Sequence, residues 1–368
     1  MLHCNASPLT CSETQMDDLY ALILAGGRGT RFWPVSRSAT PKQCITLGDD
    51  RPLLAQTIER LEPLIPRDRI FISTGRAMEE AVRRVAVGIP TKNVLVEPWG
   101  RNTAPCIGWG AVEIGRRDPN GVVVVCPSDH VIGDEEGLRE AIYAAAGAAQ
   151  STNNIVTLGI EPNRPETGFG YLRVGPVVGE WGGCNVHAVD QFIEKPDPDT
   201  AQRYLDVGGH LWNAGMFVFT VGALRDAYRS HLPRTAEALE RVGNDPIRLD
   251  EEWGNMDAIS IDYGIMERCR HVLTVPLDVG WSDVGSWAAA GAVMKPLPGG
   301  RGIANAVYQK DSSGNVVFAP GKAVAMIGVE GLVVVDTPDA LLVMTAERSQ
   351  QVGEIVRAIE EDDCEDLL

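Results

Sequence analysis

At 368 residues with a formal charge of −17, the chain is long enough for one large α/β domain plus a smaller one, and too acidic for nucleic acid or an anionic membrane to be its main partner. Hydrophobic residues make up 44%, enough for a substantial core, so disorder is not the default. The eight cysteines are scattered with no C-x-x-C pair, and no apolar stretch reaches the length of a membrane span, which argues against a disulfide framework, a zinc site and a spanning helix.

Residues 1–17 lack the basic and apolar regions of a signal peptide and read as a loose tail, so the chain is expected in the cytoplasm. Residues 20–25 form a short apolar run bounded by turn residues, the pattern of a buried strand. The run empties into Gly26-Gly27-Arg28-Gly29-Thr30-Arg31. Glycines let backbone N–H groups approach a ligand closely, and the two guanidinium groups suit phosphate oxygens. A polyphosphate is the simplest ligand. The loop matches neither common fingerprint: Phe32 stands where G-x-G-x-x-G needs glycine, and Gly29 is followed by Thr30-Arg31 where a P-loop needs Lys-Ser/Thr. The competing reading is a strand-end turn with solvated arginines.

Pro34 and Pro41 fix the path of the connection that follows, and Lys42 sits on an extended or turn segment from which it reaches back to the loop. An exposed lysine is the ordinary alternative. Residues 53–64 have helical spacing; residues 69–73 and 93–96 read as strands around a helix at 76–87. This alternation implies a parallel sheet with covered faces and ligands outside the carboxyl ends of its strands. Glu97, on that rim, has the donor-accepting chemistry to read a guanine edge; helix capping or solvation is the alternative. Residues 106–114 read as a buried helix. Residues 122–125 form an apolar strand ending in Pro127-Ser128-Asp129-His130, and an aspartate at such a strand tip is costly unless paired or metal-bound. Asp129 is the first Mg²⁺ candidate, with capping of the helix at 135–150 as the alternative. His130 has no partner at ligand spacing and reads as structural.

After a strand at 155–158, residues 159–171 form a second Gly/Pro-rich loop suited to a polyol pocket. An alternating strand at 187–193 ends in Glu194-Lys195-Pro196. Glu194 suits sugar hydroxyls and Lys195 a phosphate, but neighbours on a strand face opposite ways unless Pro196 marks a break. Strand 216–220, helical patterning over 221–242, a helix start near Ser260 or Asp262 and a strand at 272–276 lead to Asp283, in a Gly/Ser/Trp loop like that of Asp129.

Leu24-Ala25-Gly26-Gly27-Arg28-Gly29-Thr30-Arg31 with Pro41-Lys42-Gln43 resembles the signature of the sugar-nucleotide pyrophosphorylases. Six further stretches narrow the resemblance: Glu97-Pro98 with Gly100-Arg101-Asn102-Thr103-Ala104-Pro105, Pro127-Ser128-Asp129-His130, Pro165-Glu166-Thr167-Gly168-Phe169-Gly170-Tyr171, Phe192-Ile193-Glu194-Lys195-Pro196, Trp212-Asn213-Ala214-Gly215-Met216-Phe217 and Gly280-Trp281-Ser282-Asp283-Val284-Gly285-Ser286-Trp287. Together, over residues 20–290, they are similar to bacterial mannose-1-phosphate guanylyltransferases. Any one motif is weak; the ordered set is strong. The resemblance implies a Rossmann-like mixed sheet flanked by helices over residues 18–289, and a small β-helix-like domain over 290–368 that often contributes to a homodimer. It implies that GTP and mannose 1-phosphate give GDP-mannose and pyrophosphate with Mg²⁺. By position, Gly26, Gly27, Arg28, Gly29, Thr30, Arg31, Lys42, Glu97 and Asn102 would bind the nucleotide. Arg28 and Lys42 would stabilise charge, Asp129 and Asp283 would hold the metal, and Glu166, Gly170, Glu194, Lys195 and Asn213 would bind the sugar phosphate. Phe32, Phe169 and Ala214 depart from the usual residues; only Ala214 removes a possible hydroxyl contact. The nucleophile, a phosphate oxygen, is already ionised at neutral pH, which agrees with the lack of any Ser-His-Asp or Cys-His pattern.

Beyond residue 290, short β-rich runs at 315–318, 323–328, 332–336 and 340–344 precede a helix with Val352, Ile355, Val356 and Ile359 at 3.6 spacing. Longer relatives add a metal-binding isomerase domain; with no histidine after His271, that second activity is not expected here. Trp33, Trp212, Trp281 and Trp287 are expected to wall the pocket. Another sugar phosphate or nucleotide, or a catalytically silent sugar-nucleotide-binding subunit, remains as the alternative.

Overall fold

The computed structural model describes residues 17–243 and 246–368; most of the expected tail lies outside the described residues. The chain runs through β1 (Leu19–Leu24), α1 (Leu53–Leu61), β2 (Ile70–Gly75), α2 (Glu79–Val85), β3 (Val94–Glu97), α3 (Thr103–Arg117), β4 (Val122–Pro127), α4 (Glu135–Thr152) and β5 (Ile155–Ile160). There follow β6 (Gly170–Trp181), β7 (Cys184–Glu194), α5 (Pro198–Val207), β8 (His210–Thr220), α6 (Val221–His231), α7 (Pro233–Val242), α8 (Pro246–Trp253), β9 (Val272–Leu277) and α9 (Trp287–Val293).

Nine of these strands form one mixed sheet in the order β3-β2-β1-β4-β8-β5-β9-β7-β6. The β3-β2-β1-β4 side is parallel, as strand–helix–strand connections require, and β8 enters antiparallel beside β4. Helices cover both faces, which is why β1 and β4 read as continuous apolar runs rather than alternating ones. Each fully buried Leu or Ile, such as Leu22 and Ile23, contributes roughly 2 kcal/mol from burial. Because β1, β2, β3 and β4 run the same way, their carboxyl ends share one rim, and the glycine loop, Glu97 and Asp129 all emerge there.

Three elements differ from the sequence expectation. The region after residue 170 is a strand, β6, whose pairing with β7 is interrupted by register shifts around Val174 and Val177, so no clean two-residue period survives to be read. The helical pattern at 221–242 is two helices, broken where Pro233 begins α7. At 76–87, a single tight turn precedes the shorter α2.

The C-terminal region adds β10 (Pro296–Leu297), β11 (Gly300–Lys310), β12 (Asn315–Ile327), β13 (Leu332–Asp336), β14 (Leu341–Thr345) and α10 (Val352–Glu361). β11, β12 and β13 pair in parallel and β14 closes antiparallel. The runs at 315–318 and 323–328 are one strand carrying an irregularity opposite Ala304 and Ala306. Its core is shared with the other domain: Phe32 and Trp33, directly after the glycine loop, pack with Trp287, Phe318, Val335, Val352 and Val356. Two of the four tryptophans therefore serve this core, with Trp287 fully buried and donating from Nε1 to Trp33 O at 3.1 Å. The described cysteines are free thiols, Cys106 and Cys126 buried. Among the described residues, no helix is long and apolar enough to cross a membrane.

Candidate active site

The glycine loop is pinned at its base. Ala25 N donates to Ser73 O at 2.7 Å, and Ala25 O accepts from Gln43 Nε2 at 2.8 Å and Thr74 Oγ1 at 3.0 Å. Beyond it, Gly29 takes φ +67°, and a Cβ there would lie 2.3 Å from Lys42 Cβ. Only glycine lets the loop cross the Lys42 stem this closely. The Cβ position of Gly27 faces open space instead. Arg31 donates to Gly285 O at 3.2 Å, whereas Arg28 turns away to Glu360 on α10 at 3.2 Å and to Ser38 at 3.5 Å.

Lys42 is only 6% exposed, so the solvated-lysine alternative does not hold. Its Nζ donates to Asp129 Oδ2 at 2.7 Å and to the Asp283 carbonyl at 2.9 Å. The two aspartate loops, one after β4 and one after β9, are stitched together by reciprocal bonds between Val131 and Ser282 at 2.9 and 3.0 Å. Residues far apart in sequence are thus brought to one lysine. Burial works against ionisation of Asp129, but the charge and hydrogen bond of Lys42 leave its carboxyl below the usual range. Asp283 goes the other way: burial raises it, Lys42 opposes and the Asp129 charge adds to the rise. Asp129 does not cap α4; Asp134 does, accepting from Gly137 N at 3.0 Å. His130 accepts from Trp281 Nε1 at 3.1 Å, and burial lowers its imidazole to about 4, so it is neutral at neutral pH.

Glu97, at the end of β3, is buried, accepts from Ser73 Oγ at 2.9 Å, and has its carboxyl raised by burial. It neither caps a helix nor lies in solvent. Asn102 caps α3, its side chain accepting from Thr103 N at 2.9 Å.

On the other side, Lys195 follows β7 with φ +50°, which ends the strand one residue before Pro196. The turn folds its side chain back to ion-pair with Glu194, so the two adjacent residues do not face opposite ways. Glu194 is nearly buried, and a Cβ at Gly170 would lie 2.6 Å from its Oε2. Asn213 Oδ1 accepts from Thr157 Oγ1 at 2.9 Å and Gly215 N at 3.2 Å, and its Nδ2 donates to Asp262 at 3.0 Å. Glu166 accepts from Gly168 N at 3.0 Å and pairs with Arg164. Phe169 meets both Trp212 and Trp281 edge-on, so these two tryptophans back a cavity-lining ring rather than wall the cavities themselves.

Two cavities meet at Arg31, Asp283 and Gly285. One, of about 300 Å³, lies between Gly27, Thr30, Lys42 and Asp129. The other, of about 540 Å³, lies between Glu166, Lys195, Arg164 and Gln350. Gly26, Arg28, Glu97, Asn102, Gly170, Glu194 and Asn213 are not part of either wall. Arg164 and Gln350 were not expected; Gln350 belongs to the C-terminal module, and nothing local in its sequence signals its approach. A separate apolar crevice between α3, α6 and α7 is remote from these groups.

Residues 20–297 match the nucleotidyl transferase family model. The chain belongs to the nucleotidyl transferase family. Residues 306–359 match a second model, the MannoseP isomerase/GMP-like beta-helix domain. Among similar proteins, xanthan biosynthesis protein XanB of Xanthomonas campestris pv. campestris is 37% identical across 94% of this chain and 74% of its own length. The mannose-1-phosphate guanylyltransferase of Escherichia coli is 36% identical over the same shares. A crystal structure from Thermus thermophilus, described as a mannose-1-phosphate geranyltransferase, superposes with a TM-score of 0.85 at 37% identity, covering 93% of this chain and 99% of that one. Nucleotidyl transferases generally use a divalent metal.

Proposed function

We propose that the protein transfers GMP from GTP to mannose 1-phosphate, giving GDP-mannose and pyrophosphate. The observation that carries this reading is the convergence of Lys42, Asp129 and Asp283 beside the glycine loop, where a second cavity holding Lys195 and Glu166 opens into the first. A triphosphate in one cavity and a sugar phosphate in the other would meet at Asp283. The guanylyltransferase named in Escherichia coli supplies the substrate pair. A geranyl donor, as named for the Thermus protein, calls for an apolar channel, and Arg31, Lys42, Asp129 and Asp283 line a charged one.

Asp129 and Asp283 fit Mg²⁺: two carboxylates, with no third metal-binding side chain clustered beside them among the described residues, leave room for phosphate oxygens and water. Bound there, Mg²⁺ would supply charge neutralisation at the reacting phosphate. Lys42 brings a fixed positive charge to the same point, and Arg31 with the glycine-loop N–H groups orients the triphosphate. Lys195 holds the sugar phosphate, whose ionised oxygen attacks without a general base, while Glu194, Asn213, Gly170 and Glu166 hold the sugar. Glu97 reads the guanine edge at the rim, with Asn102 shaping the loop, and Arg28 joins the phosphates once released from Glu360. We place the reaction in the cytoplasm, where nucleoside triphosphates are made. A homodimer through the C-terminal sheet is supported by exposed Tyr308, Ile327, Leu341 and Val343.

The test is pyrophosphate release with Mg²⁺ from each nucleoside triphosphate paired with mannose 1-phosphate or glucose 1-phosphate. Release confined to GTP with mannose 1-phosphate is the expected result; release with another pair overturns the substrate, and none with any pair overturns transfer.

A further inference from the structure

Asp262 opens a single π-helical turn, Asp262–Met266, that packs beside the end of β7. The sequence offers Ser260 or Asp262 as the cap of this turn, and it is Ser260 whose Oγ accepts from Tyr263 N at 3.3 Å. The Asp262 side chain points elsewhere, to Asn213. Thr157 and Gly215 both donate to Asn213 Oδ1, which fixes the amide orientation and sends its Nδ2 to Asp262. Asn213 is 8% exposed, so this network is held inside the fold.

Two carboxylates, Glu194 and Asp262, therefore flank one oriented amide and one lysine. Their neighbourhood is costly without more hydrogen-bond donors. Glu194 has its backbone N–H bound by Glu267 and its side chain by Lys195, which leaves the Asp262 carboxyl with two donors, the Asn213 amide and its own backbone N–H. A polyol supplies the missing hydroxyl donors.

On the sugar 1-phosphate reading above, we propose that Asp262 accepts a hydrogen bond from a ring hydroxyl of the sugar and sets which sugar the enzyme prefers. Asn213 is then its positioning partner as well as a contact. The groups that act on Asp262 are Glu194 at the end of β7, Lys195 just after it and Asn213 from β8. Burial first, then the Glu194 charge, pushes the Asp262 carboxyl up to about 6, against Lys195 and the Asn213 bond. The sugar site therefore loses an ionised acceptor just below neutral pH.

The test compares wild type with Asp262→Asn on mannose 1-phosphate and its 2-, 3-, 4- and 6-deoxy analogues. Wild type is expected to lose about tenfold or more in kcat/KM on one analogue, while the variant treats that analogue and the parent alike within about twofold and keeps its KM for GTP. A variant that discriminates among the analogues as wild type does overturns the proposal. A second measurement needs no variant: the ratio of the Kd for GDP to that for GDP-mannose, by calorimetry on wild type at about pH 7.5 and about pH 5.0. The ratio is expected to fall several-fold at the lower pH, and an unchanged ratio overturns the role of Asp262. Absent turnover and absent GDP-mannose binding in wild type overturn the function and this inference together; normal turnover with a flat ratio overturns only the inference.

Discussion

The two sides of the site, proposed above for the nucleotide and for the sugar, are built differently. At the glycine loop, Arg28 is about half exposed and held by an exposed carboxylate, Glu360, and Gly27 faces open space. At the sugar side, Asn213 and Glu194 are nearly buried and held by fixed partners. Exposed ion pairs are worth little and exchange easily for a ligand, whereas buried hydrogen-bonded groups hold one geometry. The difference suits a polyphosphate, whose charge recruits mobile cations, and a sugar, which is told from its epimers by the placement of single hydrogen bonds. Lys42 lies between the two designs: a cation, but buried and doubly bonded.

The largest effect is expected where the two sides meet. Asp129→Asn or Asp283→Asn should reduce kcat by about a thousandfold in Mg²⁺ assays with little change in the circular dichroism spectrum; a near-normal rate in either removes that residue from the metal site. Next is Gly29→Ala. Its Cβ would collide with Lys42 Cβ in a backbone conformation that costs about 1–2 kcal/mol for alanine. A kcat loss of about a hundredfold, with a lowered melting temperature, is expected. An active variant would show that the loop is not held against Lys42 during turnover.

Lys195→Ala is expected to raise KM for mannose 1-phosphate by about thirtyfold and KM for GTP by less than about threefold, since one charge-assisted bond to phosphate is removed. Equal effects on both would erase the division into two sides. The smallest change is expected from Glu360→Gln, which releases Arg28 from a pair worth under about 1 kcal/mol. KM for GTP should fall by no more than about fivefold, measured at low salt; a rise would mean that Glu360 positions Arg28 for the nucleotide.

Much of this molecule is legible along the chain. The apolar runs of β1 and β4, the turn residues at their ends and the order of motifs from Gly26 to Asp283 carry the fold class and the family, because continuous hydrophobicity reports a doubly covered strand. The alternation of β7 was legible, but its partner β6 was not, since the irregular register around Val174 and Val177 removes the period that marks a strand. Neither was the hydrogen bond from Asn213 to Asp262, since local spacing offered Ser260 or Asp262 as a cap and the partner lies 49 residues away. The sequence by itself determined most of the strands of the large sheet, the glycine loop and the kinds of charge available at each strand end. Only the tertiary structure decided that Asp129 and Asp283 share Lys42, that Lys195 folds back on Glu194, that Glu360 pairs with Arg28 and that Gln350 lines the larger cavity. Most of those pairings join residues far apart in sequence, and local propensity acts over a few residues, so such contacts are set by the packing of whole elements.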